Sequence, residues 1–406
     1  MSQYSNTRAG WESDGSPELQ LILPKLVDTA SKNLNITCTS ATRLTRGSWH
    51  EIYALQFEQG ETAFESLSRA GFECIARVAR VQGNTAKEES EIATLRHLKK
   101  HAKIPVPEVY YYDLSHENDI GASLVLMEKM PGHHLYTIWD GLSLEHKKAA
   151  LSEVASVIAQ FSSIQLDQIG CLTDGGIGPV LSPCYESPQG PFTSTEDYLD
   201  SFVSGLEAHL PKEDSTSSEI RKTISTFLTE QSTRKCLQAP FSLIHPDLDA
   251  ENMLFTEALD GSGPKLTGVI DFEYAYIGPR YFLYEYPIFI QDAASSEDLH
   301  QENAVLREHF VSQIAYELQT PEACDTLIQC MDLKGGILDS FRDCFMESKY
   351  SDEMVDTARE YLETAKNGQG RASPGREDYG PEPCSEKSDL LSVASLQQAL
   401  MIVNPS

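Results

Sequence analysis

The stretch Leu243–Phe255, "LIHPDLDAENMLF", sets one His, three carboxylates and one Asn between two apolar ends. A surface loop has no need of flanking Leu-Ile and Met-Leu-Phe, and a buried loop does not tolerate unpaired carboxylates. These carboxylates therefore have partners, supplied by the fold or bound from outside. The sequel Gly268–Arg280, "GVIDFEYAYIGPR", is a hydrophobic strand running into Asp271, and the turn signal "DGSGPK" (260–265) stands between the two segments. The order is His245-x-Asp247, Asn252 five residues after that Asp, strand, turn, strand, Asp271.

Upstream, "IYALQFEQG" (52–60) and "FECIARVARV" (72–81) alternate as strands do, joined by a polar connection. "TAKEESEIATLRHLKKH" (85–101) places Ile92, Leu95 and Leu98 on one helical face. "IPVPEVYYYDL" (104–114) is extended because each Pro biases its predecessor away from helix, and "GASLVLMEKMPG" (121–132) predicts a strand ending at Pro131-Gly132. An opening helix is expected from Leu19, Ile22, Leu23 and Leu26, which recur at helical spacing. Beyond residue 131 the character changes. A stripe of Leu151, Val154, Ala155, Ile158 and Phe161 predicts a core-facing helix, with others over Thr195–Leu210, Glu219–Leu237 and Asn303–Leu318, and a loop over Gly175–Pro191.

These elements predict an α+β chain with a mobile N-terminus (1–15), a small β-rich lobe (16–130) and a larger, mainly helical lobe (131–365). Residues 366–388, rich in Gly, Pro and charge, are expected to be a flexible linker, with a short amphipathic tail over 389–406. At 406 residues the length suits one two-lobed enzyme or two domains. Sixty-one acidic residues against 32 basic ones give a formal charge of −29, which opposes broad contact with nucleic-acid phosphates or anionic lipid. The nine cysteines are scattered without C-x-x-C spacing, there is no apolar leader, and no run reaches about 18 apolar residues, so a cytoplasmic location is expected. Nothing in the chain specifies an oligomeric state.

Phosphoryl transfer needs a carboxylate to orient or deprotonate the attacking hydroxyl, and a second carboxylate with an amide oxygen to hold Mg2+ against nucleotide phosphates. Asp247, Asp271 and Asn252 are the right residue types in the right order. The chain resembles the aminoglycoside phosphotransferase family, its fungal members above all, whose fold is protein kinase-like. The family pattern His-Gly-Asp-x-x-x-x-Asn with a later Ile-Asp-(Trp/Phe)-Glu is matched by His245, Asp247, Asn252, Ile270, Asp271, Phe272 and Glu273. The resemblance implies Asp247 as catalytic base, Asn252 and Asp271 as metal ligands, ATP and Mg2+ as cofactors, and a small-molecule hydroxyl as acceptor.

By the same resemblance, Arg77 corresponds to the strand cation that reaches nucleotide phosphates, and Glu91 to its helical partner. Backbone at Glu128 and Met130 matches the adenine-facing hinge, and Gly47 with Ser48 the tip of the phosphate-covering turn. Three departures stand out. Pro246 replaces the usual Gly, Arg77 stands where many kinases have Lys, and one Gly marks the covering turn in place of G-x-G-x-x-G. Pro246 and the single-Gly turn favour an alternative of another class, a nucleotide-binding or non-catalytic pseudokinase-like module, which the retained Asp247, Asn252 and Asp271 oppose. Protein kinase activity is disfavoured, because Phe-Glu comes directly after Asp271 and no Ala-Pro-Glu appears beyond it.

Overall fold

The computed structural model describes residues 23–366, except position 48 and 81–84, 183–184, 186, 208–209, 211–213, 259–260, 293–296 and 347–352. Ser48, the expected N-terminal segment (1–15), the linker beyond 366 and the amphipathic tail lie outside the described residues. Contacts divide the chain into two compact units. One holds the described residues up to His146 together with Asp247–Glu273, the other Lys147–Pro246 and Tyr274 onward. The segment bearing Asp247, Asn252 and Asp271 thus packs with the strand-rich part. A boundary drawn from composition at 130 does not register this later return of the chain.

The first unit opens with helix α1 (Leu23–Leu34) and strands β1 (Cys38–Arg46) and β2 (His50–Phe57). The polar connection after β2 contains a short helix, α2 (Glu65–Arg69), pinned by the fully buried Leu67. Then come β3 (Glu73–Ala79), α3 (Ala86–His101), β4 (Val109–Asp113) and β5 (Leu124–Glu128). The strands form one antiparallel sheet in the order β1-β2-β3-β5-β4. Side-chain alternation decides what each face carries. Cys74, Ala76 and Val78 of β3, with Leu124 and Leu126 of β5, bury against Leu26, Ala30 and Leu34 of α1. Ile75, Val125 and Met127 point the other way and pack with Ile92 of α3. Arg77, two residues after Ile75, falls on that α3 face, and in the ladder it stands between Ile52 and Val125.

After β5 the chain runs through β6 (His133–His134) and α4 (Leu135–Ile138), and the unit closes with β7 (Met253–Glu257) and β8 (Pro264–Val269). These make a second sheet in the order β8-β7-β6. Gly132 permits the crossing. Its φ is +108°, and a Cβ there would lie 2.6 Å from the Phe255 carbonyl oxygen.

The second unit is mainly helical. The predicted stripe from Leu151 to Phe161 is buried in helix Leu144–Ser163, and further helices span Thr195–Glu207, Thr216–Glu230 and Glu297–Leu318. The helix expected over Glu219–Leu237 stops at Glu230 and resumes as one tight turn, Lys235–Leu237. The loop over Gly175–Pro191 contributes a two-residue strand, Gly176–Ile177, paired with Leu172–Thr173. Strand Phe241–Ile244 lies between Tyr276–Gly278 and Gln165–Leu166. Among the described residues no helix is long and apolar enough to cross a membrane.

Candidate active site

Arg77 is the centre of a buried charge cluster within the first unit. It is 8% exposed, and its Nη1 donates to Glu91 of α3 while Nη2 donates to Glu273. Asp271 Oδ1 stands 3.3 Å from the same Nη2, and His50 Nδ1 3.2 Å. The Arg77–Glu91 contact arises from the sheet. An odd-numbered position in β3 faces α3, and Glu91 lies on the buried side of that helix. Burial works against the guanidinium's charge, and the three carboxylates more than offset it. Burial pushes Glu91 up to about 7, with Asp271 and Glu273 pushing the same way and Arg77 opposing. Burial also acts on Glu273, but the His50 hydrogen bond and the charges of Arg77, His50 and Lys87 hold it well below the usual carboxylate range.

Asp247 and Asn252 meet in the loop that leads into β7. Asn252 Nδ2 donates to the Asp247 backbone oxygen and to its Oδ2, each at 2.8 Å, and the Asn252 carbonyl accepts from Ile270 N–H at 3.0 Å. That last bond ties the loop to the residue before Asp271. Asp271 has φ +64°, a left-handed conformation that Asp and Asn tolerate better than most residues, and its side chain is 43% exposed. Among the described residues no group of three or more His, Cys, Asp or Glu side chains forms a metal cage. Mg2+ does not require one, since it takes one or two carboxylates together with waters and phosphates.

The segments expected as hinge and covering turn belong to the same unit. Glu128 N–H is committed to the Glu108 carbonyl at 2.8 Å, so only its carbonyl remains for a hinge role. Met130 packs onto β8, where a Cβ at Gly268 would meet the Met130 Cβ at 2.9 Å; glycine in "GVID" thus seats Met130 against the strand leading to Asp271. Gly47 N–H donates to His50 O at 2.8 Å, which closes a tight turn between β1 and β2. The structure therefore gathers Arg77, Glu91 and Asp271 in one cluster, and Asp247 with Asn252 in the adjoining loop. Sequence reasoning missed His50 and Lys87. Alternation back from Ile52, the ladder partner of Arg77, and the first-turn position of Lys87 were the available signals.

The family model described as "Phosphotransferase enzyme family" matches residues 56–282. The chain belongs to the phosphotransferase enzyme family. A subtelomeric hrmA-associated cluster protein of Aspergillus fumigatus is 24% identical, over 64% of this chain and 62% of that protein. The chain thus spans less than two thirds of that relative's length. The clavilactone A biosynthesis cluster protein Y of Ampulloclitocybe clavipes is 27% identical, over 51% of this chain and 54% of its own. A crystal structure of ADP-bound aminoglycoside phosphotransferase APH(2'')-Ib is similar in fold, with a TM-score of 0.50 at 16% identity over 84% of this chain and 98% of that one. The phosphotransferase fold here is accordingly α+β and protein kinase-like, as the resemblance implied.

Proposed function

We propose that the protein is an ATP-dependent, Mg2+-requiring phosphotransferase that acts on a hydroxyl group of a small molecule. The observation that carries this reading is the gathering of Asp271 against the buried pair Arg77 and Glu91, joined through Ile270 and Asn252 to Asp247. Asp247 is the base. The amide of Asn252 fixes its Oδ2, which sets the plane of the carboxylate that takes the acceptor's proton. With Nδ2 so engaged, Asn252 presents its amide oxygen, and Asp271 its carboxylate, as hard donors for Mg2+. A bound Mg2+ would neutralise phosphate charge as transfer proceeds. Arg77, oriented by Glu91, is the phosphate-contacting cation, and backbone at Glu128 and Met130 is the adenine-facing edge, with Gly47 and Ser48 at the covering turn. In this reading the nucleotide-binding part is residues 16–130 with the segment 247–273, and the rest of 131–365 supplies acceptor binding.

One observation favours the second reading, a non-catalytic nucleotide-binding module: Arg77 is engaged by three carboxylates at once. Calorimetric titration with Mg-ATP, combined with phosphate-transfer assays over a panel of hydroxyl compounds, separates the two. Binding with transfer supports the enzyme. Binding with no transfer to any acceptor and no hydrolysis supports the module, and absence of Mg-ATP binding overturns both.

A further inference from the structure

Glu273, 8% exposed, shares its two carboxylate oxygens among groups from three separate elements. Oε1 accepts from His50 Nδ1 at 2.8 Å and from Arg77 Nη2, and Oε2 accepts from Lys87 Nζ at 2.8 Å. His50 is the first residue of β2, and its carbonyl closes the covering turn on Gly47. Lys87 lies in the first turn of α3 and sets its ammonium over the ring of Trp49, 4.6 Å from the centroid; Trp49 is itself a residue of the turn. The turn is further tied to β3, since Arg80 N–H donates to Trp49 O at 2.9 Å. A G-x-G-x-x-G turn tracks phosphates with bare backbone. Here side chains add to the backbone bonds in holding the turn.

We infer that Glu273 and His50 are positioning residues: Glu273 clasps the covering turn to the loop that carries Asp271, so that the turn is seated before nucleotide arrives. This rests on the nucleotide-dependent reading above and adds the means by which a turn with a single Gly is held. Hydrogen bonds to ionised groups in a buried setting are strong, and a turn ordered in advance gives up less freedom on binding. Neither residue is placed on the transferred group. Loss of the clasp therefore weakens nucleotide binding and loosens Trp49.

The test uses the full chain in five forms, each also made with Trp49→Phe: parent, His50→Ala, His50→Gln, Glu273→Gln, and His50→Ala combined with Glu273→Gln. Two quantities are read: Mg-ATP affinity by calorimetry, and the Trp49 emission of nucleotide-free protein, assigned by difference from Trp49→Phe. His50→Ala is expected to weaken Mg-ATP about tenfold, about 1.4 kcal/mol, and to shift Trp49 emission to the red. His50→Gln, whose amide can still donate to Glu273, should recover most of both effects, which a general loss of packing would not allow. The emission shift of the double variant should not exceed that of the larger single, as for two partners of one contact. Parent-like Trp49 emission in His50→Ala overturns the inference, and so do emission shifts that add in full. Should the parent itself fail to bind Mg-ATP, the proposed function falls, while the emission measurements still decide the clasp.

Discussion

Asp247 and Asp271 are both carboxylates of one unit, and the proposed function gives them different tasks in different surroundings. Asp247 is bound by the amide of its own loop, whereas Asp271 is held in a left-handed conformation with its side chain 43% exposed. Asp247→Asn is expected to lower transfer by about three orders of magnitude or more while leaving Mg-ATP affinity within a few-fold, the scale on which loss of a general base acts. Asp271→Ala is expected to abolish the stabilisation that Mg-ATP confers on thermal unfolding; full retention would remove Asp271 from the metal site. Glu91 makes a separate, pH-dependent prediction. It faces Arg77, His50, Asp271 and Glu273, and it is pushed up to about 7, above its unfolded value of about 4.3. The folded chain thus holds this proton more tightly than the unfolded one. The contribution is fully present below the unfolded value and is lost as pH rises through about 7. Glu273, held low, acts with the opposite sign, and its contribution is lost as pH falls. The thermal midpoint of the parent should therefore fall relative to that of Glu91→Gln between about pH 5 and about pH 8, and parallel curves across that window would refute the raised Glu91.

Gly132 shows what one element demands of a single position. It carries the chain from β5 into β6 at φ +108°, with β7 so close that a Cβ would stand 2.6 Å from Phe255 O. Gly132→Ala is expected to cost about 1–3 kcal/mol in backbone strain and a similar amount in crowding. A denaturant titration should show a clear drop in midpoint at unchanged slope, and an unchanged midpoint would mean that the crossing can relax. The sheet strands and α3 were legible in sequence because alternation and helical spacing leave a period that packing must obey. Helices Pro321–Asp332, Ile337–Phe341 and Glu353–Lys366 were not read from the sequence, although Thr320 caps the first of them by accepting from Ala323 N–H at 3.3 Å, with Pro321 at its first position. Ile337–Phe341, at five residues, has little room to display a period, whereas the other two, at 12 and 14 residues, are as long as α1 or longer and their start signals went unused. Arg77 and Glu91 came from family resemblance, and alternation in β3 explains why they meet. His50 and Lys87 stayed hidden, since their shared partner Glu273 is far away in sequence, 186 residues from Lys87.

At the scale of the whole molecule, the linear order of the chain conceals that Asp247–Glu273 packs with the strand-rich unit, and no periodicity reports such a return. Charge, in contrast, is read directly from sequence. The formal net charge is −29, and carboxyl groups outnumber cations in the site as well: Arg77 and Lys87, with His50, lie among Glu88, Glu91, Asp271 and Glu273, of which Glu91 is raised toward neutrality. In the proposed function a Mg2+ ion would arrive with nucleotide, whose phosphates bring more negative charge than the ion carries, so the excess would persist in the loaded site. A second polyanion approaching as acceptor meets a negative field, whereas a neutral or cationic hydroxyl compound does not. The preference should weaken with salt, because exposed charges beyond about 10 Å are screened at about 0.1 M. With Mg-ATP held constant, matched cationic, neutral and anionic hydroxyl compounds should be consumed in that order at low ionic strength, and the spread should narrow at moderate ionic strength. The effect belongs to encounter and binding, so it should appear in the acceptor KM with kcat little changed. A preference for anionic acceptors at low salt would show that a cationic surface elsewhere in the molecule governs acceptor approach, and the charge of the Arg77 cluster would then have no part in the choice of substrate.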